Sequence, residues 1–318
     1  MCGASRVLGN RRRPKHIIEY ACLRALAGLL NALPARFAYG CTWAIAWVGH
    51  YVVRFRRQGA IRRITEVFGD EFTPAQRKSI AWKSWRGFCY AVTDMVRIGQ
   101  LTREDVLISV IGAEALLQRI EEVTREGGGL ILAAPHSGSW EHAGVACHVC
   151  GAPMFFMAGK QKNPLVDDYL NRMRGVTGID AVRKDSGPLK QIIRGLREGK
   201  VLAIMPDVRS PVPGLPVRFL GGVANLAAGA GMFARQANVP IMPTVVTRER
   251  WNRHRWHTGE LIRPDPAMEK REDWQRMLQL YIDRVETMIR RYPECYFWYN
   301  KRWVLDPIQP PANAAGHS

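Results

Sequence analysis

Beyond residue 129 the chain alternates between two kinds of segment. Apolar runs too short for a core helix lie at 130–134, 154–157, 179–182, 201–205 and 241–246, and helix-length stretches near 163–175, 187–198 and 225–237 separate them. A strand followed by a helix cannot return through a tight hairpin, so such strands align mostly parallel in one sheet with both faces covered by helices. The fold class is therefore α/β with a mostly parallel central sheet. Reactive groups in such sheets collect beyond the carboxyl ends of the strands. His136, after the first run, and Asp207, after the fourth, both fall there.

The remaining segments read as covering helices. Gly59–Val67 is one, and Thr73 with Gln76 as capping-box partner opens another that runs through Trp82, Trp85 and Phe88, aromatics at ordinary core spacing. A helix over Ala113–Arg125 leads into Gly127-Gly128-Gly129, and Arg271–Arg291 carries an apolar stripe from Trp274 to Val285. Residues 208–218, rich in Pro and Gly, read as a loop at the reactive edge of the sheet, a lid or acceptor rim. Trp251–His257 reads as a basic hairpin turn, and the tail from Pro307 as disordered.

Three regions follow: residues 1–57 as a basic tail with membrane-associating helices, 58–307 as the main domain, and 308–318 as a tail. The first has no apolar core of the signal-peptide kind. From Ala21 to Val53 it is apolar but broken by Arg24, Pro34 and Arg36, and its longest uncharged piece, Phe37–Val53, is 17 residues, at the lower edge of what spans a bilayer. Basic clusters flank both sides, Arg11–Lys15 and Arg54–Arg63, whereas a spanning helix shows its Lys/Arg excess on one side. Two helices lying on the membrane, with Trp43 and Trp47 at the interface, fit this better than a single span or a buried soluble hairpin.

Lys and Arg number 46 against 28 acidic residues, a formal charge of +18. An excess of that size calls for an anionic partner. Nucleic acid is not expected, because no zinc-finger spacing, RNP-type aromatic motif or heptad-plus-basic-region pattern is present. An anionic membrane or an acidic carrier protein remains. The 7 cysteines are odd in number and scattered through apolar segments, which suits reduced thiols. Cys147-His148-Val149-Cys150 lacks the second ligand pair of a zinc site, so no metal is expected.

His136 and Glu141 are five apart, about 140° round a continuous helix, and could not cooperate on one. With His136 in the turn after a strand, and Ser137 or Ser139 capping a helix whose first turn carries Glu141, the carboxylate reaches back and orients the imidazole as a general base.

His136-Ser137-Gly138-Ser139-Trp140-Glu141 resembles the H-x4-D/E signature of glycerolipid and lipid A acyltransferases, in particular the H-x-G-N-W-E form of the bacterial late acyltransferases of lipid A biosynthesis. Further matches follow in order: Asn163-Pro164-Leu165 with Arg172 and Arg174 downstream, Pro206-Asp207, Phe219–Gly222 and Tyr296–Trp303. Ser139 stands where Asn is more usual. The resemblance, over roughly residues 17–307, implies a glycerolipid acyltransferase-like fold without cofactor, on the cytoplasmic face of the bacterial inner membrane, peripheral or single-span. It implies O-acyl transfer from acyl carrier protein to a lipid A precursor, with His136 as base and Glu141 as its partner. Arg172 and Arg174, and also Arg209, Arg218, Lys301 and Arg302, become substrate-facing cations, since guanidinium suits phosphate. Asp207 becomes the residue that orients an arginine or headgroup. On the residues alone, each of these cations is equally a surface charge and Asp207 equally an Asx turn. Coenzyme A as donor, another lysolipid, aminolipid or glycolipid as acceptor, and a non-catalytic binder of anionic membrane or nucleic acid also stay open.

Overall fold

The computed structural model describes residues 13–306 except 126, 159, 160, 177 and 184–187. The basic tail ahead of Arg13 and the tail beyond 306 lie outside the described residues. The chain opens with α1 (Pro14–Ala32), α2 (Ala35–Trp47), a π-helical turn at Val48–Val52, α3 (Arg57–Phe68), α4 (Pro74–Val96) and α5 (Arg103–Ser109). Then come β1 (Val110–Ile111), α6 (Ala113–Arg125), β2 (Leu130–Ala133), α7 (Trp140–Val149), β3 (Met154–Ala158), α8 (Pro164–Gly175), β4 (Asp180–Arg183), α9 (Pro188–Arg197) and β5 (Val201–Ile204). The last part holds β6 (Leu215–Phe219), β7 (Gly222–Leu226), α10 (Gly229–Ala237), β8 (Ile241–Arg250), β9 (Arg253–Thr258) and α11 (Lys270–Arg291).

The strands form a 7-stranded sheet in the order β1-β9-β8-β2-β5-β3-β4. Every pair in it is parallel except the β8–β9 hairpin, whose turn is only Trp251-Asn252; the basic residues of the turn expected over 251–257 belong to strand β9. Side chains alternate across the sheet. Ile131, Phe155, Leu202 and Ile241 pack with α9, α10 and α11 on one face, and Leu130, Leu132, Met154 and Met242 pack with α6 and α7 on the other. Burial on both faces is why β2 is an unbroken apolar run. The capping box also forms: Gln76 N–H donates to Thr73 Oγ1 at 3.3 Å and Thr73 N–H to Gln76 Oε1 at 2.8 Å.

The last part of the loop expected over 208–218, from Leu215 on, is strand, because β6 pairs with β7 as a separate 2-stranded hairpin. Within the uncharged stretch 37–53, α2 passes into the π-helical turn, and Arg54 and Arg56 follow at φ 54° and 48°. Among the described residues no helix is long and apolar enough to cross a membrane. Instead α1 and α2 are fastened to α4 and α8. Arg97 donates to the Leu33 carbonyl at 2.9 Å, Thr42 and Thr93 share a hydrogen bond of 2.7 Å, and Asn163 donates to Glu19 at 2.9 Å.

Candidate active site

Neighbouring parallel strands place Ala133 of β2 beside Ile204 of β5. Three residues further along each strand stand His136 and Asp207. Asp207 Oδ1 lies 2.7 Å from His136 Nδ1, and its Oδ2 accepts the backbone N–H of His136 at 2.8 Å. The loop after β2 is then held from the opposite side. The Cys295 carbonyl accepts from Gly138 N–H and the His136 carbonyl from Phe297 N–H, both at 2.9 Å. Gly138 has φ +56° and a Cβ there would sit 2.4 Å from the Val246 carbonyl oxygen, so only glycine fits. The aromatic segment near the end of the chain is thus a buttress, fixed in turn by Ser84 Oγ donating to the Tyr296 carbonyl at 2.5 Å and Arg63 donating to the Trp298 carbonyl at 2.7 Å.

The carboxylate hydrogen-bonded to Nδ1 is that of Asp207. Glu141 does lie in the first turn of α7 and lines the same cavity as His136. Its charge raises the His136 pKa. Burial pushes the His136 pKa down, but the charge and hydrogen bond of Asp207, helped by Glu141, outweigh it and leave the value raised. The expected serine cap is absent: Ser139 occupies the N-cap position without a capping bond, and Ser137 Oγ donates to the Val246 carbonyl at 3.1 Å.

From His136 a cavity of about 460 Å³ runs between α7 and the sheet. Its walls are Leu132, Ala203, Met154 and Phe156 from the strands and Gly144 and Cys147 from α7, with Leu116 and Trp256 also in the lining. A chain of partly exposed rings also starts at His136. Trp140 meets the imidazole at 5.1 Å, Phe88 lies 6.2 Å from Trp140 and stacks on Phe297 at 4.3 Å, Trp85 is 5.9 Å from Phe88, and Phe55 is 5.3 Å from Trp85. Phe55 is exposed, as are Phe37, Trp43, Trp47, Val52 and Val53.

Behind α7, Asp94 is buried and accepts hydrogen bonds from Tyr39 and Arg248, beside His254, whose ring stacks on His142 at 5.1 Å. Burial raises the Asp94 carboxyl pKa, yet Arg248 and the two histidines hold it well below the usual range. The cluster ties α2, α4 and β8 to the first turn of α7.

Of the predicted cations, none whose side chain is described lines the cavity. Arg172 is exposed on α8, and the Arg174 side chain lies outside the described residues. Arg209 donates to the Asp306 carbonyl at 3.2 Å, Arg218 sits on β6 with its backbone N–H bonded to Gln279, and Lys301 and Arg302 occupy an exposed turn beyond the buttress. Trp140 and the Phe88–Phe297 stack were not singled out from sequence, where they look like core aromatics. The equal offset of His136 and Asp207 from their strands was the available signal for that pair.

The profile of the bacterial lipid A biosynthesis acyltransferase family matches residues 9–304. The chain is 24% identical over 274 residues to a lipid A biosynthesis acyltransferase of Haemophilus influenzae, covering 85% of this chain and 82% of that one. It is 24% identical over 293 residues to a phosphatidylinositol mannoside acyltransferase of Mycolicibacterium smegmatis, covering 87% and 89%. A phosphatidylinositol mannoside acyltransferase of Mycobacterium tuberculosis is 22% identical over 196 residues, 60% of this chain and 59% of that one. With a family match running from α1 through the buttress, the chain belongs to the bacterial lipid A biosynthesis acyltransferases and is an acyl-transferring enzyme.

Proposed function

We propose that the enzyme moves a fatty acyl chain from an acyl carrier protein thioester to a hydroxyl of a lipid A precursor at the cytoplasmic face of the bacterial inner membrane. The observation that carries this reading is an imidazole tied through Nδ1 to Asp207 at one end of an apolar cavity. A carboxylate only accepts, so Nδ1 keeps its proton and Nε2 is left as the base. Nε2 takes the acceptor's hydroxyl proton as the oxygen attacks the thioester carbonyl. The carbon–sulfur bond then breaks and the imidazolium returns the proton to the leaving thiolate, help on the order of 10²–10⁴ in rate. Asp207 and Glu141 stabilise the imidazolium. Backbone N–H groups in the first turn of α7 stabilise the oxyanion. No acyl-enzyme is required, in keeping with the Ser137 hydroxyl being engaged by the Val246 carbonyl.

The acyl chain occupies the cavity, and the acceptor approaches along the aromatic rings from the membrane side. Residues 1–57 form the membrane-associating part: the exposed Phe37, Trp43, Trp47, Val52 and Val53 enter the interface while Arg36, Arg54 and Arg56 meet anionic headgroups. The charge of +18 suits both an anionic acceptor and an acidic carrier. Arg209, Lys301 and Arg302 are the cations assigned to the acceptor's phosphates. The similarity to phosphatidylinositol mannoside acyltransferases favours a second reading, in which the acceptor is another anionic glycolipid.

The test is purified protein with acyl carrier protein thioester and a panel of acceptors (a lipid A precursor, a phosphatidylinositol mannoside, a lysophospholipid), read by mass spectrometry. One acceptor gains an acyl chain, and His136→Ala abolishes the product. Undiminished transfer by His136→Ala overturns the mechanism, and no transfer to any acceptor overturns the reading.

A further inference from the structure

Gly144 sits in the middle of α7, where glycine is the least favourable residue short of proline. Packing does not explain it. A Cβ built on Gly195 of α9 meets the Phe155 ring at 3.1 Å, and one on Gly231 of α10 meets the Trp274 backbone at 2.8 Å, but a Cβ on Gly144 meets nothing within 4 Å. The open space beside it is the cavity, which Gly144 lines together with Trp140 and Cys147. These three share one helix face, so Gly144 lies about 6 Å, and Cys147 about 10 Å, beyond the turn that stands against His136. Leu116 and Trp256, both buried, line the same cavity.

We propose that Gly144 sets the length of acyl chain this enzyme accepts: the side chain it lacks is the room that the hydrocarbon fills. This role rests on the acyl-transfer reading above. Protein interiors pack as densely as organic crystals, so each carbon added at position 144 displaces about one carbon of the guest. Ala, Val and Leu add one, three and four carbons. Each methylene excluded lowers kcat/KM by about fourfold, the equivalent of the transfer free energy of one buried methylene.

The experiment compares the parent with Gly144→Ala, Gly144→Val and Gly144→Leu on saturated acyl carrier protein thioesters from butyryl to palmitoyl in single-carbon steps. In parallel, graded fatty acids displace a fluorescent alkyl probe from the same proteins without turnover. The preferred length shortens by about one, three and four carbons in both measurements, and butyryl transfer is retained. Gly144→Ala melts no lower than the parent, because alanine is the better helix former. A folded Gly144→Leu with the parent's length profile overturns the proposal. Shortened binding profiles without acyl transfer by any of the proteins uphold the role of Gly144 in the cavity and overturn the acyl-transfer reading instead.

Discussion

Replacing Asp207 by Asn tests the assignment of the imidazole's partner. The side chain keeps its shape but loses its charge, and one of its two acceptor positions becomes an amide donor facing either Nδ1 or the His136 N–H, groups now held at 2.7 and 2.8 Å. A hydrogen bond to a charged group contributes about 1.5–3 kcal/mol. An opposite charge about 4 Å from a forming imidazolium contributes about 4 kcal/mol at the effective dielectric of a partly exposed site. The two overlap, so about 3–4 kcal/mol of transition-state stabilisation is lost, a fall of about 10²–10³ in kcat/KM. The pH profile carries the sharper signature. In the parent, Asp207 raises the His136 pKa, so the acid limb of kcat/KM lies above the ordinary 6.5. In Asp207→Asn burial is no longer outweighed, and the limb moves to lower pH. The same shift gives a stability check. A raised histidine pKa stabilises the fold below the unfolded value and loses that contribution as pH rises through the folded one. The melting difference between parent and variant is therefore largest below pH 6.5. Circular dichroism controls for misfolding. A loss under about threefold, with the acid limb unmoved and Glu141→Gln losing about a hundredfold, would return the orienting role to Glu141 and refute the assignment.

Arg248→Leu leaves Asp94 a buried carboxylate without its guanidinium and destabilises the protein by about 3–5 kcal/mol in denaturant titration, whereas Tyr39→Phe costs about 1–3 kcal/mol. Burial lowers the pKa values of His50, to about 4, and of His142 and His254, so the unfolded chain binds more protons and stability falls as pH drops below 6.5. The melting temperature should follow that course, more shallowly in His50→Gln. Gly138→Ala forces a Cβ onto the Val246 carbonyl and strains the loop by about 1–3 kcal/mol, so activity falls with little change in far-ultraviolet circular dichroism. Trp43→Ser, Trp47→Ser and Phe55→Ser combined should abolish flotation with anionic vesicles, each ring contributing about 1.5–3 kcal/mol of apolar burial; unchanged flotation would place membrane binding on another surface.

Periodicity and capping are local, and what depends on them was readable in the sequence. The strand runs, the Thr73 capping box, the helix at Ala113–Arg125 and the placement of His136 and Asp207 at strand ends all followed from residues within a turn or a pleat of one another. Tertiary structure decided what lies far apart in the chain. His136 meets Asp207 across 71 residues because β2 and β5 are neighbours in register, which no local pattern encodes, while Glu141, close in sequence, ends up across the turn on α7. Cys295 and Phe297 brace the reactive loop from the far end of the chain. Residues 37–53, uncharged enough to suggest a span, break into α2 and a π-helical turn, with Tyr39 and Thr42 of α2 drawn to Asp94 and Thr93 of α4. The sequence determined which elements form, because backbone preferences act between near neighbours. Strand register and interhelical packing, summed over distant segments, decided which carboxylate holds the histidine.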